Sequence, residues 1–83
     1  MKFRAEINVM PQKALLDPQG KTVHKSMHLI GLNKINDVRI GKHIVLEMEA
    51  ENETDARAQV EKACKDLLAN QVMEHFDYQL QTI

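Results

Sequence analysis

The run Lys2-Phe3-Arg4-Ala5-Glu6-Ile7-Asn8-Val9 alternates polar and apolar side chains without a break. Phe3, Ala5, Ile7 and Val9 share one parity, and a period of two predicts a strand with one dry face and one wet face. Pro11, which has no backbone donor, predicts the end of that strand. Beyond it, Leu15-Leu16-Asp17-Pro18-Gln19-Gly20 reads as the start of a helix. Asp17 can accept from the free N–H groups, and Pro18 suits the first helical position, where its missing donor costs nothing. Val23, Met27 and Ile30 follow at helical spacing and predict a stripe facing the core, with Gly31 as the stop.

Further along, Val38 and Ile40 alternate with Asp37 and Arg39, Gly41-Lys42 interrupts, and Ile44, Leu46 and Met48 alternate again. This predicts a hairpin with Gly41-Lys42 as its tight turn. A second helix is expected to open at Thr54, with Asp55 favourable near the positive end of the dipole. Ala56, Val60, Ala63, Cys64 and Leu67 form its apolar side, and Asn70 its stop. Val72, Phe76, Tyr78 and Leu80 predict a last strand with one wet face. The element order is βαββαβ in one domain, residues 1–83. It describes an α+β, two-layer sandwich of the ferredoxin-like (split βαβ) kind, an antiparallel sheet with two helices on one face. Whether the last strand pairs within its own chain or adds to a partner's sheet is left open by pattern alone.

The chain has 83 residues, with 11 basic and 12 acidic side chains and a formal net charge of -1. So short a chain has little room for a deep cavity of its own, and dimer formation would help stabilise it. The balanced charge argues against nucleic acid, whose binding usually requires a basic excess on one face. The aromatic residues that stack RNA bases in other βαββαβ modules are also missing from the wet positions of the central strands. A single cysteine, Cys64, cannot form an intramolecular disulfide, and the alternation at residues 1–6 leaves no apolar run for a signal peptide or a membrane span. These features predict a cytoplasmic protein with no membrane partner.

Candidate chemistry is sparse. His24 and His28 lie one helical turn apart, but Lys25 stands where the HExxH motif has glutamate and no third ligand is evident, so no metal site is expected. The two histidines read as solvated or facing a partner. Cys64 lies among Val60, Ala63, Leu67 and Leu68, where desolvation suppresses the thiolate, and it reads as a small core residue. Glu47 and Glu49 point to the wet side and read as a charged face. No catalytic set is contained in the chain. Two corners stand out, Asp17-Pro18-Gln19-Gly20 and Val38-Arg39-Ile40-Gly41-Lys42. Each reads equally as turn chemistry or as partner docking, since a helix N-terminus and a basic pair on a rigid hairpin both attract carboxylates.

Along nearly its whole length the chain resembles a known family, through four blocks in the same order. These are Leu16-Asp17-Pro18-Gln19-Gly20, Asp37-Val38-Arg39-Ile40-Gly41-Lys42, Leu67-Leu68-Ala69-Asn70 with Val72, and Glu74 followed by Phe76 and Tyr78. The resemblance is to PurS, the small subunit of phosphoribosylformylglycinamidine (FGAM) synthase. Gln71 stands where the family often has proline, which bears on the shape of that corner. The resemblance implies a non-catalytic subunit in purine biosynthesis, a homodimer or tetramer that contacts a PurQ-type glutaminase and a PurL-type synthetase and assists ammonia transfer between them. It implies no cofactor on this chain, with ATP, Mg and glutamine used by the partner subunits. Carried over residue by residue, the expected contacts are Asp17, Pro18, Gln19, Gly20, Arg39, Gly41, Lys42 and Asn70, with His24 and His28 as lesser candidates. Arg39 is expected to be exposed. The reading from another class is a ferredoxin-like regulatory module that binds a small ligand. Such modules commonly have a glycine-rich turn after the first strand, whereas Met10-Pro11-Gln12-Lys13-Ala14 has no glycine.

Overall fold

The computed structural model describes residues 1–13 and 17–83. Leu15 and Leu16, read above as the approach to the first helix, lie outside the described residues, as does Ala14. The alternating N-terminal run forms β1 (Lys2–Pro11), with Phe3, Ala5, Ile7 and Val9 buried. It is followed by α1 (Pro18–Leu29), β2 (Lys42–Glu49), α2 (Glu53–Ala63), which continues into a π-helical turn at Cys64–Leu68, and β3 (Glu74–Thr82).

The sheet is antiparallel with order β2-β1-β3, so the most deeply buried strand has a neighbour on each side. Ala5 faces Leu46 on β2 and Leu80 on β3, and Ile7 faces Ile44 and Tyr78. The last strand therefore pairs within its own chain. Over this dry face lie α2 and the π-helical turn, which bury Ala56, Val60 and Cys64 against β1. The wet face carries a polar ladder, with Arg4 paired to Glu47 at 3.3 Å, Asn8 donating to Asp77 at 3.1 Å, and His43 3.8 Å from Glu6.

The α+β, ferredoxin-like arrangement of an antiparallel sheet with two helices holds, but the expected four strands are three among the described residues. Val38–Ile40 is not a strand, and residues 35–41 run without sheet pairing. The polar groups of this segment go elsewhere. Ile40 N–H donates to the Asp17 carboxylate, and Arg39 reaches the carbonyls that follow β1. Gly41 is accordingly no hairpin turn. It lies where the chain crosses β1, and a Cβ there would collide with the Val9 carbonyl oxygen and the Met10 sulfur. The left-handed glycine is Gly31 at φ +91°, which ends α1 as expected.

Four further expectations need correction. The stripe Val23, Met27 and Ile30 joins neither hydrophobic core cluster among the described residues, because α1 does not pack extensively against the sheet. Val23 and Met27 are half-buried, and Ile30 is 73% exposed. The second helix is capped by Asn52, not Thr54, its Oδ1 accepting from Asp55 N–H at 2.8 Å. Val72 is exposed in the turn before β3, and Leu67 is exposed as well. Leu68 packs on the core instead of Leu67, because the i→i+5 bond from Ala69 N–H to Cys64 O widens the last turn and shifts its facing side by one residue.

Candidate functional site

Four segments distant in sequence meet at one end of the sheet: the end of β1, the start of α1, residues 38–42, and the turn leading into β3. Asp17 organises the junction. Its carboxylate is buried; Oδ1 accepts from Gly20 N–H at 3.0 Å, capping α1, and Oδ2 accepts from Ile40 N–H at 2.9 Å. These two backbone donors, with the Arg39 guanidinium 3.7 Å away, hold the Asp17 carboxyl below the usual carboxylate range despite its burial. Gly20 is required by space, since a Cβ there would meet the Val38 carbonyl oxygen.

Arg39 is not the exposed docking group that the sequence suggested. Its Nη2 donates to Gln12 O at 2.7 Å and Pro11 O at 3.2 Å, and its Nη1 to Lys13 O at 3.2 Å. A guanidinium fork suits this task, because five donors in a fixed plane can satisfy several carbonyls of one irregular loop. Lys42 is exposed and reaches Leu68 O at 3.4 Å.

The fourth segment is closed by Asn70 and Glu74. Asn70 Oδ1 accepts from Val72 N–H and Met73 N–H, and Glu74 Oε1 accepts from Asn70 N–H at 2.8 Å. Gln71 donates to Lys65 O at 3.0 Å, so a side-chain tether fixes the corner where the resemblance led us to look for proline. Gln12 N–H donates to Met73 O, joining this turn to the end of β1.

Between these segments lies an open cleft of about 430 Å³, bordered by Pro11, Pro18, Gln19, Ile40, Asn70 and Glu74. A shallow apolar depression, lined by Thr22 and Val23, adjoins it and shares Pro18, Gln19 and Ile40 as a common ridge. Of the predicted residues, Asp17, Pro18, Gln19, Gly20, Arg39, Gly41, Lys42 and Asn70 are brought to this end of the molecule. His24 and His28 are not. Their rings stack edge to face at 4.9 Å along α1. His24 Nε2 lies 2.6 Å from Ile35 O and therefore carries the proton, and His28 Nδ1 lies 3.2 Å from Asn33 Oδ1. Among the described residues no group of three or more His, Cys, Asp or Glu is placed to hold a metal ion. Sequence reasoning put Ile40 in a docking corner but not among the expected contacts, and missed Pro11, Met73 and Glu74 as cleft residues; the Asn70-to-Glu74 spacing was the available signal for the last.

Among the described residues this polar-rimmed, largely apolar cleft is lined by no Ser, Cys or His, and a surface of that character can dock a partner. The model of the PurS family, described as phosphoribosylformylglycinamidine (FGAM) synthase, matches residues 4–82. This chain belongs to the PurS family. Among PurS relatives, the FGAM synthase subunit of Methanocaldococcus jannaschii is 32% identical over 81 residues, covering 98% of both chains. The PurS subunit of Bacillus subtilis is 33% identical, covering 98% of this chain and 95% of its own. The PurS fold also matches a chain in the structure of PurLQS from Thermotoga maritima, at a TM-score of 0.87 and 33% identity over 98% of this chain and 99% of that one.

Proposed function

We propose that this chain acts in FGAM synthase as a non-catalytic bridging subunit, which holds a PurQ-type glutaminase against a PurL-type synthetase during purine biosynthesis. Its task is geometric. Ammonia released from glutamine must reach the synthetase before it is protonated or lost to bulk water, and a fixed arrangement of the two sites shortens that passage. The product is formylglycinamidine ribonucleotide, made from formylglycinamide ribonucleotide with ATP and Mg in the synthetase. This chain holds no cofactor of its own and works in the cytoplasm.

The observation that carries the proposal is that residues from each of the family's four blocks, Asp17, Pro18 and Gln19, Ile40, Asn70, and Glu74, line one cleft with docking character, with no cluster placed to hold a metal ion among the described residues. Gln19, Pro18, Ile40 and Asn70 form the contact edge. Asp17, Gly20, Arg39 and Gly41 hold that edge rigid from beneath, which lowers the ordering cost of docking. The relative in the PurLQS assembly supports the same reading.

The test is a glutamine-dependent synthesis assay with purified glutaminase and synthetase subunits, with and without this chain, beside an ammonia-dependent control. Restoration of glutamine-dependent turnover alone is the expected result. An unchanged rate in both assays would overturn the proposal.

A further inference from the structure

Asp17 borders not only the docking cleft but also a neighbouring recess of about 220 Å³. The wall of this recess holds three cations, Lys13, Lys21 and Arg39, and two acids, Asp17 and Asp37. Two of these charges cancel inside the fold. The Asp17 carboxylate is buried, holds two backbone donors and has Arg39 Nε 3.7 Å away. The other two guanidinium nitrogens of Arg39 are engaged by the carbonyls of residues 11–13.

Lys13 and Lys21 are different. Both are exposed, and among the described residues neither ammonium meets a carboxylate, whereas Lys62 and Lys65 on α2 pair with Asp66 and Glu61. Their backbones are nevertheless held in place. Lys13 O accepts from Arg39 Nη1 at 3.2 Å, and Lys21 N–H donates to Asp17 O at 2.9 Å, so the Asp17–Arg39 pair anchors both lysines beside the recess. Residues 18–36 add Lys25 and Lys34 and contain no acid, so α1 offers nothing to neutralise them.

The recess therefore calls for a negative group, and the remaining donors say of what kind. A free phosphate or nucleotide is gripped by converging backbone N–H groups or by a guanidinium fork. Here Gly20 N–H is taken by Asp17, and the Arg39 fork by Pro11, Gln12 and Lys13. What is left is two long, solvated ammonium groups on two separate segments. They suit carboxylates carried in by another protein surface whose position is fixed by contacts elsewhere. Such contacts lie next door, in the cleft that shares Asp17. Asp37 leaves the recess only weakly positive, enough for a short acidic segment and too little for a polyanion.

We propose that the protein seated on the Pro18, Gln19 and Ile40 ridge presents an acidic segment beside its apolar contact, with its carboxylates on Lys13 and Lys21. This pairing rests on the docking function proposed above and adds to it the chemistry of the partner. The ridge supplies apolar fit, and the two lysines steer the approach and set the register.

Lys13→Glu with Lys21→Glu tests the pairing in complexes with purified glutaminase and synthetase subunits. Both positions are exposed, so Tm should stay within about 2 °C of the parent. Association followed by surface plasmon resonance should slow about tenfold or more at low salt for one of the two partners, with the gap closing at high salt. Lys13→Arg with Lys21→Arg should bind as the parent does. A carbodiimide, which joins an ammonium directly to a carboxylate, should link Lys13 or Lys21 to an aspartate or glutamate of that same partner. Parent-like association of the reversed variant at low salt, or no such link from either lysine, would overturn the pairing and leave the bridging function standing wherever the parent restores glutamine-dependent turnover. A parent that binds neither subunit would remove both. A Tm rise in millimolar inorganic phosphate that the reversed variant loses would make the recess a small-anion site and overturn the pairing as well.

Discussion

Asp17 Oδ2 accepts from the backbone N–H of Ile40, 23 residues away, at 2.9 Å. One carboxylate thus caps a helix and holds a distant loop, and the cleft edge stands only while both bonds are made.

That arrangement sets a pH dependence. Because the folded-state pKa of Asp17 is depressed below its ordinary value of 3.8, its stabilisation is fully present above about pH 4–5. It is lost as pH falls through the lower, folded-state value. Thermal melts from pH 7 to pH 2 should show stability falling on the acid side. Asp17→Asn should be less stable at pH 7 and should flatten that acid limb. An unchanged limb would mean that other carboxylates set it.

Arg39→Ala leaves the Pro11, Gln12 and Lys13 carbonyls without their shared donor and Asp17 without its nearest cation. A loss of about 2 kcal/mol is expected, roughly 10 °C in Tm. The sequence alone led us to expect an exposed residue whose loss would spare stability. A melt within a degree of the parent would restore that reading.

Gly20→Ala and Gly41→Ala each force a methyl group onto a backbone carbonyl oxygen, Val38 O in the first and Val9 O in the second. Each should cost about 1–3 kcal/mol in urea unfolding. Gly31→Ala meets open space but keeps φ at +91°, and should cost about 1 kcal/mol through strain alone.

Gln19→Arg changes an exposed ridge residue above the cleft. Tm should stay within about 2 °C of the parent. Glutamine-dependent turnover in the reconstituted complex should fall several-fold while ammonia-dependent turnover holds. Equal loss of both would place the defect in the synthetase.

Cys64 is fully buried, and burial pushes its thiol pKa up, with Glu61 adding a smaller rise. The thiol should react with a thiol reagent at pH 8 only on unfolding. Rapid labelling of the folded protein would show that α2 opens locally.

The strands and the dry face were legible because alternation survives in any context that buries one side, as at Phe3, Ala5 and Ile7. The cap at Asp17 was legible because its signal is local. The missing strand at Val38–Ile40 was not, since its alternation is real but its backbone donor at Ile40 is taken by a carboxylate from another segment. The role of Arg39 was hidden for the same reason: its partners are backbone carbonyls, which leave no trace in side-chain identity. Leu67 and Leu68 exchanged roles because a π-helical turn breaks the 3.6-residue period on which the reading rests.

The sheet order also dictates a timetable. Translation delivers the central strand first, yet one of its two neighbours arrives far later, Asp77 standing 69 residues beyond the Asn8 that donates to it. Until then β1 has a bare edge in the nascent chain. Closing so long a loop before any contact rewards it slows the search, so refolding should take milliseconds to seconds, the pace of topologies dominated by distant pairings.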